Sequence, residues 1–286
     1  MVNFIPGPDY YPRFRPSYSS HSQTETSYLK VSVFPIFYKQ TVIEWDIPAE
    51  WGACKFDVLR SETEVGPWVK VTVEPTSQYY FKDKSDPEVS KFNTYFYIVE
   101  CILPSGQRII SPVSTWEAKR HSFVEIRARE ITRRETLLLT KFVGVKTIFF
   151  RRKRFGQRCS TCWDPVSENV TLDHCPNCLG TYFEGGYFGG YETLMQYDPT
   201  PSAVEFSYQG KVERNAITAW TTSRPTIESL DLVLRVPDLR LYRVGEKQTT
   251  ELQTVQVRQI LQLVELAKDR IEYQVIKKLL PPEYLL

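Results

Sequence analysis

The chain has 286 residues, and its 36 lysines and arginines nearly balance its 34 aspartates and glutamates, which leaves a formal net charge of +2. This balance carries no global signature of a polyanion-binding protein. The length predicts two or three compact units, and an aromatic content of 14% with 19 prolines favours short strands and turns. No stretch is apolar enough to predict a membrane-spanning helix, and the first residues lack the pattern of a signal peptide.

Residues 1–27 are rich in proline, serine and tyrosine and show no hydrophobic periodicity, which predicts an extended arm. The arm also carries large aromatic side chains that a plain linker lacks: Tyr10, Tyr11, Phe14 and Tyr18. Such an arm often becomes ordered against a neighbouring subunit. Simple disorder is the alternative that the composition leaves open.

Residues 28–118 alternate short apolar runs with turn residues. The strongest strand pattern runs from Thr94 to Ile102, where apolar side chains alternate between two faces. About seven short strands at this spacing predict an antiparallel β-sandwich. Cys54 and Cys101 can lie on neighbouring strands, and we interpret them as reduced thiols of its core.

The same region contains five segments in the order VIEWDIP, FDVLRSE, GPWVKV, NTYFYIVECILPSG and ISPVS. Their arrangement resembles a fibronectin type III domain. Trp45 matches the early core tryptophan of that family, and Tyr95 matches the tyrosine near the start of its penultimate strand. The resemblance implies an adhesion or spacing module with no chemistry of its own, so it says little about function.

Residues 119–145 contain the one strong helix pattern of the chain. Ser122 and Glu125 are spaced as a capping box, in which the serine hydroxyl accepts a bond from a free backbone N–H. We expect the helix to end at Gly144 in the left-handed conformation that glycine readily adopts. The helix also carries four arginines: Arg127, Arg129, Arg133 and Arg134.

Residues 146–191 contain two Cys-x-x-Cys pairs separated by twelve residues: Cys159, Cys162, Cys175 and Cys178. This spacing is typical of a zinc ribbon, where each pair turns back so that both sulfurs face one tetrahedral centre. Four thiolates leave no open position, so we predict a structural zinc ion in a protein made in a reducing compartment. The alternatives are two disulfides or four unrelated buried thiols. His174 is interpreted as a donor outside the ligand set or as an exposed residue.

A basic run precedes the first cysteine pair and is predicted to contact a protein partner or DNA: Arg151, Arg152, Lys153, Arg154 and Arg158. If the run is an extended strand, alternate side chains point to opposite sides. The aromatic residues Phe149, Phe150 and Phe155 lie nearby and could stack on bases. A glycine-aromatic loop at 184–191 lacks the lysine or serine of a phosphate-binding loop, so a nucleotide site is not predicted.

Residues 192–276 return to strand patterns. From Leu230 to Val236, three leucines and Val236 alternate with Asp231, Val233 and Arg235. Further strands are predicted from Val255 to Leu266 and from Ile271 to Val275. At least four strands predict a second β domain, a small barrel. Residues 277–286 form an apolar tail interrupted by two prolines, which we expect to dock on a neighbour or fray.

Residues 123–276 contain RRETLLLTKFVGVKT, FFRRKRFGQRCSTCWDPV, DHCPNCLGTYFEGGY and RPTIESLDLVLRV in this order. The arrangement resembles a neck protein of a tailed bacteriophage, of the head-closure and head–tail connector kind. The resemblance implies a ring of small β-barrels beneath the portal, with the zinc ribbon as an insertion and the fibronectin-like domain as an addition. It also implies a homo-oligomer in the virion neck, assembled in the host cytoplasm, that joins portal or adaptor to tail, with transient DNA contact and no membrane.

A zinc-ribbon protein that binds nucleic acid is the alternative, since basic and aromatic residues cluster before the cysteines. The net charge of +2 and the dispersal of the other arginines weigh against a dedicated nucleic-acid binder. We do not predict an enzyme. The three histidines are His21, His121 and His174, and none has a plausible nucleophile near it in sequence.

Overall fold

The computed structural model of the protein describes residues 29–36, 40–84, 95–115, 123–172, 175–198, 204–207, 210–213, 216–252 and 255–280. The predicted N-terminal arm and the end of the C-terminal tail lie outside these ranges. Ser122 and His174 lie outside them as well, so the capping box and the role of the histidine stay predictions. No helix in the described part of the chain is both long and apolar enough to cross a membrane.

The first domain is a two-sheet sandwich of eight short strands, which are β1 Lys30–Ile36, β2 Gln40–Asp46, β3 Lys55–Ser61, β4 Val69–Lys70, β5 Tyr80–Asp83, β6 Phe96–Ile102, β7 Arg108–Ile110 and β8 Ser114–Thr115. One sheet has the order β1-β2-β5, and the other has the order β4-β3-β6-β7 with β8 also paired to β6. Every pairing is antiparallel. The predicted fibronectin type III-like sandwich is therefore confirmed.

Alternation of side chains along the strands places the core between the two sheets. Trp45 is 1% exposed and lies 5.1 Å from the ring of Phe56. Cys54 and Cys101 are both buried free thiols, as predicted. Tyr95 is half-buried beneath the guanidinium of Arg60, so the aromatic residue inside the core on this strand is a different tyrosine, two positions later.

The linking helix, α1 Phe123–Leu138, continues into a wider turn of π-helix, Leu139–Val143. It packs on the second domain, where Glu135 pairs with Arg258 at 2.7 Å and Leu139 is buried. The expected left-handed end at Gly144 was wrong, since its φ is −75°. The glycine is required for a different reason. A Cβ atom there would lie 2.1 Å from the backbone oxygen of Leu139, which accepts the Gly144 N–H at 3.0 Å.

We expect Gly144→Ala to destabilise the protein by about 1–3 kcal/mol, because the added methyl group meets backbone that cannot turn aside. The matched control is Gly245→Ala, where the new Cβ would lie at an ordinary 3.5 Å from the oxygen of Gln262. Urea unfolding of both variants measures the difference. Equal midpoints for the two variants would contradict the close approach at Gly144.

The remaining strands are β9 Val145–Phe150, β10 Trp163–Asp164, β11 Asn169–Val170, β12 Tyr191–Tyr197, β13 Val204–Ser207, β14 Gly210–Glu213, β15 Ala216–Thr222, β16 Leu232–Arg235, β17 Arg240–Leu252 and β18 Val255–Glu265. Six of them form a closed barrel in the order β12-β15-β18-β17-β16-β9. The barrel thus begins at Val145, before the cysteines, and the cysteine pairs are an insertion between β9 and β12. The predicted domain boundary at residue 192 would leave β9, the first strand of the barrel, outside the barrel domain.

The barrel strands bury both faces along β9 and β16. Phe149 and Val233 face the interior, while Ile148 and Leu234 face outward into a second apolar cluster. A helix, α2 Ile271–Leu279, covers that outward face. Predicting a strand from Ile271 to Val275 was therefore wrong. The residues of α2 that meet the barrel follow the helical period and not the strand period, and they are Glu272, Tyr273, Ile276 and Leu279.

Candidate metal centre

The two cysteine pairs come together in space, as predicted. The four Sγ atoms all lie within 4.8 Å of one another. Cys159 and Cys175 are 3.8 Å apart, and Cys162 and Cys178 are 3.4 Å apart. All four residues are at most 2% exposed. The insertion therefore encloses a compact group of four thiols, which form their own small cluster apart from the domain cores.

These separations fit a metal and do not fit a disulfide. A disulfide holds its sulfurs about 2.05 Å apart, whereas a tetrahedral ion with bonds of about 2.3 Å holds them about 3.8 Å apart. The four thiols are free in this structure. Among the described residues, the group that could hold a metal ion consists of these four cysteines. Four sulfurs can hold a soft or borderline metal ion and leave no position for a substrate.

The local backbone turns each pair toward the centre. Trp163 N–H donates to the oxygen of Cys159 at 3.0 Å, and Leu179 N–H donates to the oxygen of Cys175 at 2.9 Å. Leu179 then has φ +52° and the next residue is a glycine at +74°, which bends the chain sharply after the last cysteine. Gly186 passes so close to this bend that a Cβ there would lie 2.9 Å from the oxygen of Cys178.

Hydrogen bonds prepare one thiol for deprotonation. Burial raises the pKa of Cys159, but N–H groups of Thr161 and Cys162 and the neighbouring thiols outweigh it and lower the pKa to about 7. Burial raises the pKa of Cys178. A thiolate is the form that binds a metal, so the lowered pKa favours a metal bond at Cys159.

The basic run before the cysteines is largely used inside the molecule. Arg151 is 8% exposed, and its guanidinium lies 4.6 Å above the ring of Tyr79 in the sandwich. Arg152 donates its backbone N–H to Asp231 at 2.8 Å and its guanidinium to the oxygen of Gly180. These two residues therefore help to hold the insertion in place.

The next basic residues divide between internal and external positions. Lys153 Nζ donates to the backbone oxygen of Glu184 at 2.6 Å. The guanidinium of Arg158 lies between two rings, 4.2 Å from Trp163 and 4.6 Å from Phe183. Arg151, Arg152 and Lys153 thus have internal partners, and Arg154 is exposed. Contact of the basic run with a protein partner or DNA stays a prediction.

The phenylalanines near the basic run are not available to stack on bases. Phe149 and Phe150 are fully buried in and around the barrel, and Phe155 is 3% exposed. Phe155 lies 5.9 Å from Phe56 of the sandwich and 5.1 Å from Phe188, which follows the cysteines. Sequence reasoning missed this junction between domains. The only signal was the run of aromatics on both sides of the cysteine pairs.

A buried carboxylate is the second feature that the sequence did not reveal. Asp231 is 1% exposed and accepts N–H bonds from Arg152 at 2.8 Å and from Glu228 at 2.7 Å. Burial raises its pKa to about 7, against the opposing effect of these two N–H groups and the charge of Arg151. Asp231 thereby links the start of β16 to the strand that leads into the cysteines.

Comparison with known proteins adds little to this description. No family model and no curated protein matches the chain. The pectate lyase Pel3 from Pectobacterium carotovorum is 17% identical, with a TM-score of 0.28. The match covers 34% of this chain and 29% of the pectate lyase chain. An Fn3-like protein from Clostridium thermocellum is 16% identical with a TM-score of 0.26, covering 32% of this chain and 92% of its own. The chicken interferon gamma receptor alpha chain is 13% identical, with a TM-score of 0.24, and the match covers 77% of this chain and 94% of the receptor chain. At these values, the description of the fold rests on the strand pairings themselves.

Proposed function

We propose that the protein is a structural, non-enzymatic subunit of the neck of a tailed phage virion, where a ring of copies joins the portal or adaptor to the tail. The proposal rests on the resemblance described above and on one feature of the barrel. Beyond its bulge, residues 247–252 of β17 pair with β18 on one side and with no described strand on the other. The backbone N–H and C=O groups of such an edge can pair with a strand of another chain, and in a ring the next copy would supply that strand.

A second hairpin supports the same role. β13 and β14 form a two-stranded sheet of their own, so in the described chain each has an outer edge without a partner strand. An isolated hairpin of this kind is marginally stable by itself. Packing against a neighbouring subunit, or against portal or tail proteins, would stabilise it. The site of action would be the virion, with assembly in the host cytoplasm.

We propose zinc as the ion that the four cysteines hold. Zinc prefers tetrahedral thiolate sites of this kind, and a closed set of four sulfurs suits a structural ion. When bound, the ion supplies a crosslink between the two cysteine pairs. The ligands are Cys159, Cys162, Cys175 and Cys178, and their neighbours orient them through the backbone bonds described above.

The test of the proposed role is electron microscopy of the purified full-length protein and of phage particles that contain it. We expect rings, with the hairpins of β13–β14 and β17–β18 in contact with the next copy. Because neck subunits can assemble only on their template, the particle is the deciding sample. A particle in which each copy is isolated, with both hairpins in solvent, would contradict the proposal.

Nucleic-acid binding is a second candidate, favoured by Arg158. Its guanidinium is stacked between two rings on the insertion, and stacked arginines are common at phosphate and base contacts. Binding of a short DNA strand that weakens as salt rises, and that is lost in a variant with Arg154→Ser and Arg158→Ser, would favour this function. Rings that form normally from that variant would separate the two roles.

A further inference from the structure

The chain enters and leaves the cysteine pairs along two antiparallel segments, residues 151–159 and 182–188, which we call the ladder. Four backbone bonds join them. Phe188 N–H donates to Arg151, Lys153 N–H donates to Gly186, Glu184 N–H donates to Gln157, and Cys159 N–H donates to Tyr182, at 2.9–3.0 Å. One end of the ladder continues into the barrel strands β9 and β12. The other end closes on the four thiols.

One side of the ladder packs against the sandwich. Phe188 lies 5.1 Å from Tyr79, and Phe155 reaches Phe56 on β3. The guanidinium of Arg151 also lies over the ring of Tyr79, 4.6 Å from its centroid. The four aromatic residues belong to one continuous core cluster that spans both domains. The sandwich therefore packs on the ladder as well as on the barrel.

A second set of contacts between the domains does not pass through the ladder. Arg224, between β15 and β16, lies 3.3 Å above the ring of Phe34 and 3.9 Å from the carboxylate of Glu44. Lys82 lies 3.6 Å above the ring of Tyr191, the first residue of β12. The sandwich thus contacts the second domain at several separate places, and the ladder contacts the face of the sandwich that contains Phe56 and Tyr79.

We infer that the metal ion sets how firmly the sandwich is docked, because it fixes the far end of the ladder. This inference rests on the metal site proposed above. The insertion has few aliphatic residues of its own, and its thiol cluster has one partly buried aliphatic neighbour, Val170. Without the ion, residues 159–181 are held by backbone hydrogen bonds and by polar contacts such as the bond from Arg152 to the oxygen of Gly180, and we expect these to be insufficient. The ladder then opens from its free end, and Phe155 and Phe188 lose their fixed positions against the sandwich.

Amide hydrogen exchange of the full chain, before and after removal of the metal by a chelator under reducing conditions, tests this inference. We expect exchange to accelerate about tenfold or more in the ladder and about fivefold in residues 76–83 of the sandwich. Exchange in β6 should not change, because none of the contacts described between the ladder and the sandwich involves that strand. Elemental analysis of the same samples records the metal content.

Two variants make the test specific. Phe155→Ala should keep its metal, should show the faster exchange at residues 76–83 already in the loaded protein, and should respond little there to the chelator. Val166→Ala, at a position 92% exposed at the tip of the β10–β11 hairpin, is the matched control and should behave as the parent.

The outcomes distinguish this inference from the metal proposal. Protein that is purified without metal contradicts both. Protein that loses one metal on chelation, and whose ladder opens while residues 76–83 stay protected, contradicts this inference alone. Acceleration in β6 as large as in residues 76–83 also contradicts it, since the ion would then support the whole fold and not the docking.

Discussion

Replacing Cys175 with serine is expected to abolish stoichiometric metal binding and to unfold the insertion, while the sandwich and the barrel stay folded. A serine hydroxyl is a poor ligand for a soft site, and three thiolates leave the tetrahedral centre incomplete. Structural zinc sites of small domains contribute apparent binding energies of about 10–16 kcal/mol at neutral pH, so the loss is large compared with any packing within residues 159–181.

Elemental analysis and limited proteolysis measure this effect together. We expect one metal per chain in the parent and none in Cys175→Ser, with new cleavage between Ser160 and Asn177. The matched control is Ser160→Ala, an exposed position inside the first cysteine pair that supplies no ligand. It should keep its metal and its resistance to protease.

Two results would contradict the metal centre. One is freshly purified parent protein that contains no stoichiometric metal. The other is a Cys175→Ser variant that keeps its metal and remains as resistant to protease as the Ser160→Ala control. Loss of the sandwich in the same variant would be a different finding, because it would mean that the insertion supports the first domain more strongly than their contacts suggest.

Features set by short-range spacing could be predicted from the sequence. The two Cys-x-x-Cys pairs specify their own geometry, because two intervening residues are enough to turn the chain around one centre. The alternation of apolar residues from Thr94 to Ile102 helped to predict the sandwich for the same reason, since the period of two is a local property of a strand. Neither prediction needed knowledge of distant contacts.

The internal contacts of the basic run could not be predicted, because the residues that make them are far away in the chain. The ring under Arg151 belongs to Tyr79, more than seventy positions earlier, and the carboxylate bonded to the N–H of Arg152 belongs to Asp231, 79 positions later. A run of charged residues indicates that their side chains need solvent or a polar partner. It does not show whether that partner lies in the same chain or in another molecule.

The errors in the barrel have a related origin. Val145–Phe150 reads as a strand in any context, and closure of the barrel around it depends on pairing with β12 and β16. The segment that forms α2 is rich in apolar residues over a short run, where periods of two and 3.6 are hard to distinguish. It becomes a helix because Tyr273 and Ile276 together cover the outward face of the barrel.

The second large effect that we expect concerns Asp231 and pH. Burial holds the pKa of this carboxyl group at about 7, compared with 3.8 for an ordinary aspartate. Below about pH 4 the group is protonated in both the folded and the unfolded protein. Between about pH 4 and pH 7 the unfolded chain releases the proton and the folded chain keeps it, so this group lowers the free energy of unfolding as pH rises.

The expected loss is about 1.4 kcal/mol per pH unit at its steepest and no more than about 4 kcal/mol in total. Other groups titrate over the same range, so the comparison must be made with Asp231→Asn, which has no proton to release. The free energy of unfolding of the parent minus that of Asp231→Asn should fall from pH 4 to pH 7 and then level off. Urea unfolding at each pH, with metal supplied to both proteins, provides the difference.

A control and a contrary outcome follow from the same contacts. Asp269→Asn is the matched control, because it makes the same chemical change at an exposed position just before α2, away from the buried carboxylate. The N–H groups of Arg152 and Glu228 and the charge of Arg151 all favour the ionised form of Asp231. If they outweigh burial, the difference for Asp231→Asn will stay flat or rise with pH. That result would mean that Asp231 is a permanently charged link between β16 and the ladder, and it would contradict the raised pKa.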